Sequence, residues 1–114
     1  MKVIFFEDEN GSPPWQFLHS LPVKIRVRFY GFLEHLKANE GKDTNGIAFR
    51  KLHDYPMEEI RVKSSRNLHR LVIQVRIGDS ILVLHGFTKK EGQATPQKEL
   101  EIAKERLIKF ISKS

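Results

Sequence analysis

Apolar and polar positions recur with two different periods along this chain, and the changes of period mark its elements. Residues 2–6, Lys-Val-Ile-Phe-Phe, read as a short strand closed by the acidic turn Glu7-Asp8-Glu9-Asn10-Gly11. Ser12 ahead of Pro13 and Pro14 starts a short helix, since proline suits the first helical position, and Trp15, Phe17 and Leu18 supply its apolar side. Pro22 interrupts it and opens a second helix running to about Asn39. On that helix Ile25, Phe29, Phe32, Leu33 and Leu36 make one stripe. Residues 23–29 also alternate as a strand would, but the stripe continues past Phe29 and decides for helix. Gly41 marks its end, and residues 41–48 form a polar connection.

The period then shortens. Residues 49–56 read as irregular or partly ordered, and three strand signals follow. Glu59 to Lys63 alternates; Ser64-Ser65-Arg66-Asn67 is a turn. Residues 68–77 place Leu71, Ile73, Val75 and Ile77 on one face, with Arg70, Gln74 and Arg76 on the other, which predicts an exposed Arg70. Gly78-Asp79 is a tight reversal into residues 80–87, whose run Ile81-Leu82-Val83-Leu84 suits a strand buried on both faces. Thr95-Pro96 caps a last helix with Leu100, Ala103, Leu107 and Phe110/Ile111 as its apolar stripe. The expected fold is a single α+β domain over residues 1–114: a small antiparallel sheet, formed by the N-terminal strand and the 59–87 meander, with two N-terminal helices and a C-terminal helix.

Composition changes this picture through charge. The chain has 20 Lys+Arg against 14 Asp+Glu among 114 residues, a formal +6. Residues 60–90 alone carry seven basic side chains (Arg61, Lys63, Arg66, Arg70, Arg76, Lys89, Lys90) against Asp79, so the surplus sits in the strand region. If those seven converge on one solvent-reachable patch, they form a field that draws phosphate polymers, most simply RNA. Cysteine is absent, which removes disulfides, thiolate nucleophiles and cysteine-held zinc. The five histidines show no metal spacing, and no cofactor motif is present. The first residues do not read as a signal peptide and no apolar run is long enough to span a membrane, so a cytoplasmic location is expected.

An ordered set of motifs narrows the reading. Glu59-Ile60-Arg61 is followed by Arg70 in the next strand, then by Leu84-His85-Gly86-Phe87-Thr88-Lys89-Lys90, Thr95-Pro96, and Glu99 with Ala103 and Arg106. This series resembles the RelE/ParE toxin superfamily, in particular its HigB-like, phage-derived Gp49-like branch, over residues 49–110, with a looser match at Leu21-Pro22. Asp54-Tyr55-Pro56-Met57 departs from the pattern, where a glycine-rich approach is usual. The resemblance implies a RelE-like fold and the toxin of a type II toxin–antitoxin pair. It further implies a ribosome-dependent endoribonuclease cleaving messenger RNA, restrained by a helix-turn-helix antitoxin. The ParE branch instead acts on gyrase, and a relative that binds RNA or protein without turnover would share the same fold.

Metal-independent RNA cleavage needs the 2′-hydroxyl deprotonated, the phosphorane charge stabilised and the leaving oxygen protonated. Arg61 and Arg70 are candidate phosphate clamps. His85 is a candidate general acid or base, and Lys89 and Lys90 are candidate cations beside it, one of them catalytic. Lys63, Arg66 and Arg76 suit backbone tracking, and Asn67 and His69 suit contact with a base. Each also has a plain structural explanation: strand arginines on a solvated face, a hydrogen-bonded core histidine, lysines at a strand exit. Trp15, Phe17 and Phe29 are assigned to packing rather than stacking on bases.

Overall fold

The computed structural model describes residues 1–42, 49–52 and 54–113; the side chains of Phe49 and Arg76 lie outside what it describes, as do six residues of the 41–48 connection. The elements are β1 (Lys2–Phe5), α1 (Pro13–Ser20), α2 (Val23–Ala38), β2 (Phe49–Lys51), β3 (Glu58–Ser64), β4 (Asn67–Ile77), β5 (Ser80–Lys90) and α3 (Gln97–Ser112). They build one sheet in the order β1-β5-β4-β3-β2. The meander β3–β4–β5 is antiparallel as expected. β1, however, lies parallel to β5, with Val3 opposite Ile81 and Phe5 opposite Val83, so the sheet is mixed. Between β1 and β5 the chain runs through α1, α2 and the strands β2 to β4, ample length for the crossover that parallel neighbours require. Residues 49–51, expected to be irregular or partly ordered, pair with β3 as a short edge strand.

Both faces of the sheet are covered. On one, Leu18, Ile25, Phe29, Leu33 and Leu36 from α1 and α2 pack on Ile60, Val62, Leu71, Ile73, Ile81 and Val83. On the other, Ala103 and Leu107 of α3 pack with Phe6, Met57, Val72, Leu82, Leu84 and Phe87. This two-sided cover is why β5 reads as an unbroken apolar run. The α2 stripe is buried as its spacing predicts. The first helix departs from expectation: Trp15 is 47% exposed, lying flat on His19 at 4.0 Å, while Leu18 and Phe17 carry the packing. On α3, Phe110 packs inward and Ile111 is exposed, because one residue is about 100° of helix rotation.

Three local features set the register. Gly78 has φ +60° in the two-residue β4–β5 turn, a conformation suited to glycine. Gly86 faces α1 so closely that a Cβ there would lie 2.1 Å from Phe17 Cδ2, so the ring of Phe17 occupies the space a side chain would need. A register shift between Val72 and Ile73, which pair with His85 and Val83, leaves Leu84 as an extra residue in β5. Such a bulge reverses the in–out parity of everything after it.

Candidate nucleic-acid interface

Strand alternation and the ladder registers align the chemistry of the α3-side face in successive rungs. The outermost rung is Lys63–Leu68–Lys89, the next Arg61–Arg70–Phe87, and the third Arg50–Glu59–Val72–His85. The face therefore gathers Arg50, Arg61, Lys63, Arg70 and Lys89, with Glu59 as the carboxylate within the rungs themselves. Arg50 was not among the expected site residues, because its strand is three residues long and has no periodicity to reveal it.

Arg70 is 2% exposed, which overturns the exposure predicted for it. Alternation along residues 68–77 sets Arg70 opposite the Leu71, Ile73 and Val75 face, and α3 with the loop leading to it closes over that opposite face as well. The Arg70 guanidinium donates through Nη1 to Thr95 Oγ1 and through Nη2 to the Gln93 carbonyl at 3.2 Å, and it lies 5.7 Å from the Phe87 ring centre. Its Nε is buried without a hydrogen-bond partner among the described residues. Burial lowers its pKa; Glu59 opposes that, and Arg61 and Arg50 add to it. Thr95 thus serves Arg70 rather than capping α3, whose cap position is Pro96 with no side-chain cap bond. Ser12 behaves alike: it occupies the α1 cap position, but its hydroxyl donates to the Phe6 carbonyl at 2.7 Å.

Arg61 is partly open to solvent, with 31% of its side chain exposed, and donates through Nε to Glu59 Oε1 at 2.5 Å. Glu59 is fully buried, and its second oxygen has no hydrogen-bond partner among the described residues. Lys63 is exposed and pairs with Glu91 at 2.6 Å.

Simple alternation along residues 80–87 gives His85 the parity of Ile81, Val83 and Phe87. The Leu84 bulge instead turns it with Phe87 toward α3, where it is 9% exposed. Its Nε2 donates to Glu99 Oε1 at 3.0 Å, and Arg106 Nη1 donates to its Nδ1 at 3.0 Å and to the Leu84 carbonyl at 2.9 Å. The ring is thereby held neutral with Nε2 protonated. Its pKa is lowered, mainly by burial and also by Arg106, against the raising effects of Glu99. Burial lowers the Arg106 pKa too, opposed by Asp8 and Glu99.

The remaining expected residues divide. Lys89 falls on the face of Arg61 and Arg70, whereas Lys90, next along an alternating strand, falls on the opposite face. The two lysines therefore do not flank His85 together. His69 also lies on the α2 side, buried and bonded through Nδ1 to Thr88 Oγ1 at 2.8 Å, which removes it from contact with a base at the cation face. Burial lowers its pKa. Arg66 and Asn67 are exposed at the β3–β4 turn, where the Arg66 carbonyl accepts from the Glu91 amide at 2.7 Å. The Arg76 side chain lies outside the described residues. The six described cations of residues 60–90 do not form one patch: Arg61, Lys63, Arg70 and Lys89 share a face, Arg66 sits at its rim, and Lys90 is behind it.

Among the described residues, no group of three His, Asp or Glu side chains is placed to hold a metal ion, and no helix is long and apolar enough to cross a membrane. Fold and site together define a small α+β domain with a mixed five-stranded sheet, three helices and a cationic face under its last helix. Residues 16–108 match the family described as phage derived protein Gp49-like (DUF891), and the chain belongs to that family. No curated protein matches it.

Proposed function

We propose that the chain is the toxin of a type II toxin–antitoxin pair, a RelE-like, HigB-like endoribonuclease that cleaves messenger RNA on the ribosome in the cytoplasm. The reading rests on the motif series resembling that superfamily, on membership of the Gp49-like family, and above all on one observation. Arg61 and Arg70 stand directly opposite each other in the ladder, with Arg50 close by. Like charges in that position repel, at a cost on the order of 0.2–1 kcal/mol, and a buried arginine with an unpartnered Nε costs more. An arriving phosphate relieves the repulsion.

In this reading Arg61 releases Glu59 to clamp the scissile phosphate bidentately, and Arg70 stiffens the clamp and holds positive potential beneath it. The 2′-oxygen attacks phosphorus, the P–O5′ bond breaks, and the products carry a 2′,3′-cyclic phosphate and a 5′-hydroxyl. One proton leaves the 2′-hydroxyl for the unprotonated amine of Lys89 and passes from it to the departing 5′-oxygen, while Lys63, the other amine on this face, is paired with Glu91. His85, with both ring nitrogens engaged, positions β5 and α3 rather than transferring a proton. Lys63, Arg66 and Asn67 track the strand. A helix-turn-helix antitoxin is the expected partner, and no cofactor is required.

The test is incubation of the purified chain with a defined messenger in a translating extract, with and without ribosomes, mapping the new ends. Cyclic-phosphate ends formed only when ribosomes translate support the reading; an intact messenger refutes it. A second reading, an RNA- or protein-binding relative without turnover, is favoured by the engagement of both His85 nitrogens. Salt-sensitive RNA binding without new ends would select it. A ParE-like gyrase inhibitor would leave the messenger intact and block supercoiling.

A further inference from the structure

The sheet ends differently at its two borders. At one, β2 carries the exposed charges Arg50 and Lys51, the usual guard against an added strand. At the other, β1 is Lys2-Val-Ile-Phe5, apolar after its first residue, and among the described residues no strand lies beyond it. The Lys2 amide donates to the Asp79 carbonyl at 3.0 Å and the Phe6 amide to the Val83 carbonyl at 2.9 Å, so these residues turn toward β5. Alternation then directs the N–H and C=O groups of Val3 and Phe5 outward.

Those groups open into a groove of about 900 Å³. Its floor is Val3, Ile4 and Phe5, with Glu7 and Ser12 following them; Trp15 of α1 stands on one side and Phe110 and Lys113 of α3 on the other. The two walls belong to opposite layers of the fold, so both faces of a strand added beside β1 would already be roofed. The same walls bar the approach of a whole second sheet, and two copies of a +6 chain repel. The edge is thus shaped for a single extended segment.

We propose that the β1 edge is a docking site for an extended peptide segment of a different chain, which adds as a sixth strand. The segment has apolar side chains at alternate positions, meeting Trp15 and Phe110 on its two faces, and an acidic side chain where it passes Lys2 and Lys113 but none where it passes Glu7. Main-chain bonds to Val3 and Phe5 fix its register. This inference is independent of the RNA reading, because it uses none of the cationic face.

The test is selection of short random peptides against the full chain, followed by synthesis of the peptides obtained. The expected peptides alternate, carry acid on one flank only, and shift the amide resonances of Val3 and Phe5. Val3→Pro, which removes one outward donor at a position where an edge strand tolerates proline, weakens them by about fivefold or more. N-methylation of the peptide at alternate amides abolishes binding in one phase and spares it in the other, a readout that does not depend on any variant folding. Peptides that bind elsewhere, an unchanged affinity for Val3→Pro together with indifference to N-methylation phase, or a failure to obtain any peptide perturbing Val3 and Phe5 would each overturn the proposal.

Discussion

Arg106 Nη1 bridges the bulge of β5, donating to the Leu84 carbonyl and to Nδ1 of His85. The bulge frees a carbonyl and turns a histidine out of phase, and one guanidinium from α3 satisfies both. Glu99 completes the bond at the other ring nitrogen. The arrangement docks α3 onto the sheet through a neutral imidazole.

Neutrality makes stability depend on pH. The folded pKa values of His85 and His69 both lie below the ordinary 6.5. Below 6.5 the unfolded chain binds protons that the folded chain does not, so stability is full above that pH and falls as acid is added toward the folded values. Thermal unfolding between pH 7.5 and about 5 is expected to show a falling Tm. His85→Gln, which keeps a donor and an acceptor without titrating, is expected to flatten the curve; an unchanged slope would assign the dependence to other groups.

Arg70 separates stability from activity. Replacing a buried, incompletely bonded guanidinium by an apolar side chain of similar length is commonly neutral or stabilising. Arg70→Met is expected to unfold within about 1 kcal/mol of the parent or above it, while RNA cleavage or binding falls by about 100-fold, the scale of one lost transition-state cation. Denaturant titration and messenger cleavage, run side by side, check the pair. A large loss of stability would make Arg70 a structural residue.

Lys89 and Lys90 offer a comparison within one dipeptide. Lys89→Ala is expected to relieve growth arrest when the chain is produced alone, and Lys90→Ala to leave it nearly intact at equal expression. The reverse order would place the reacting strand on the α2 face and refute the cation face as the site.

Gly86 tests the packing of α1. Gly86→Ala drives a methyl into the Phe17 ring, and a loss of about 1–3 kcal/mol or more is expected, the range for overpacked interiors. Phe17→Leu made together with it should recover part of the loss in urea unfolding. No recovery would mean that backbone strain, rather than the ring, forbids a side chain there.

Sequence reading served this chain where a pattern runs long enough to be periodic. The α2 stripe from Ile25 to Leu36, the three meander strands and the apolar run Ile81–Leu84 were all legible because burial imposes their spacing. The direction of β1 was not, since a local pattern carries no information on which strand it meets. β2 escaped because three residues cannot show a period. Arg70 was misjudged because alternation separates two faces without saying that α3 covers the second. Alternation alone gives His85 the wrong side because one extra residue in β5 inverts everything after it. The functional side chains were therefore readable by type and by motif, and their grouping was not: Glu59 beneath Arg61, and Lys89 apart from Lys90, emerge only from register.

The peptide groove follows the β1 margin, while the positively charged surface is centred on β3 and β4, two and three strands away, or roughly 10–15 Å at ordinary strand spacing. Occupants of the two sites would not collide. A regulator anchored along the margin could remain attached while nucleic acid comes and goes, so that restraint and release become separate events on the same small molecule.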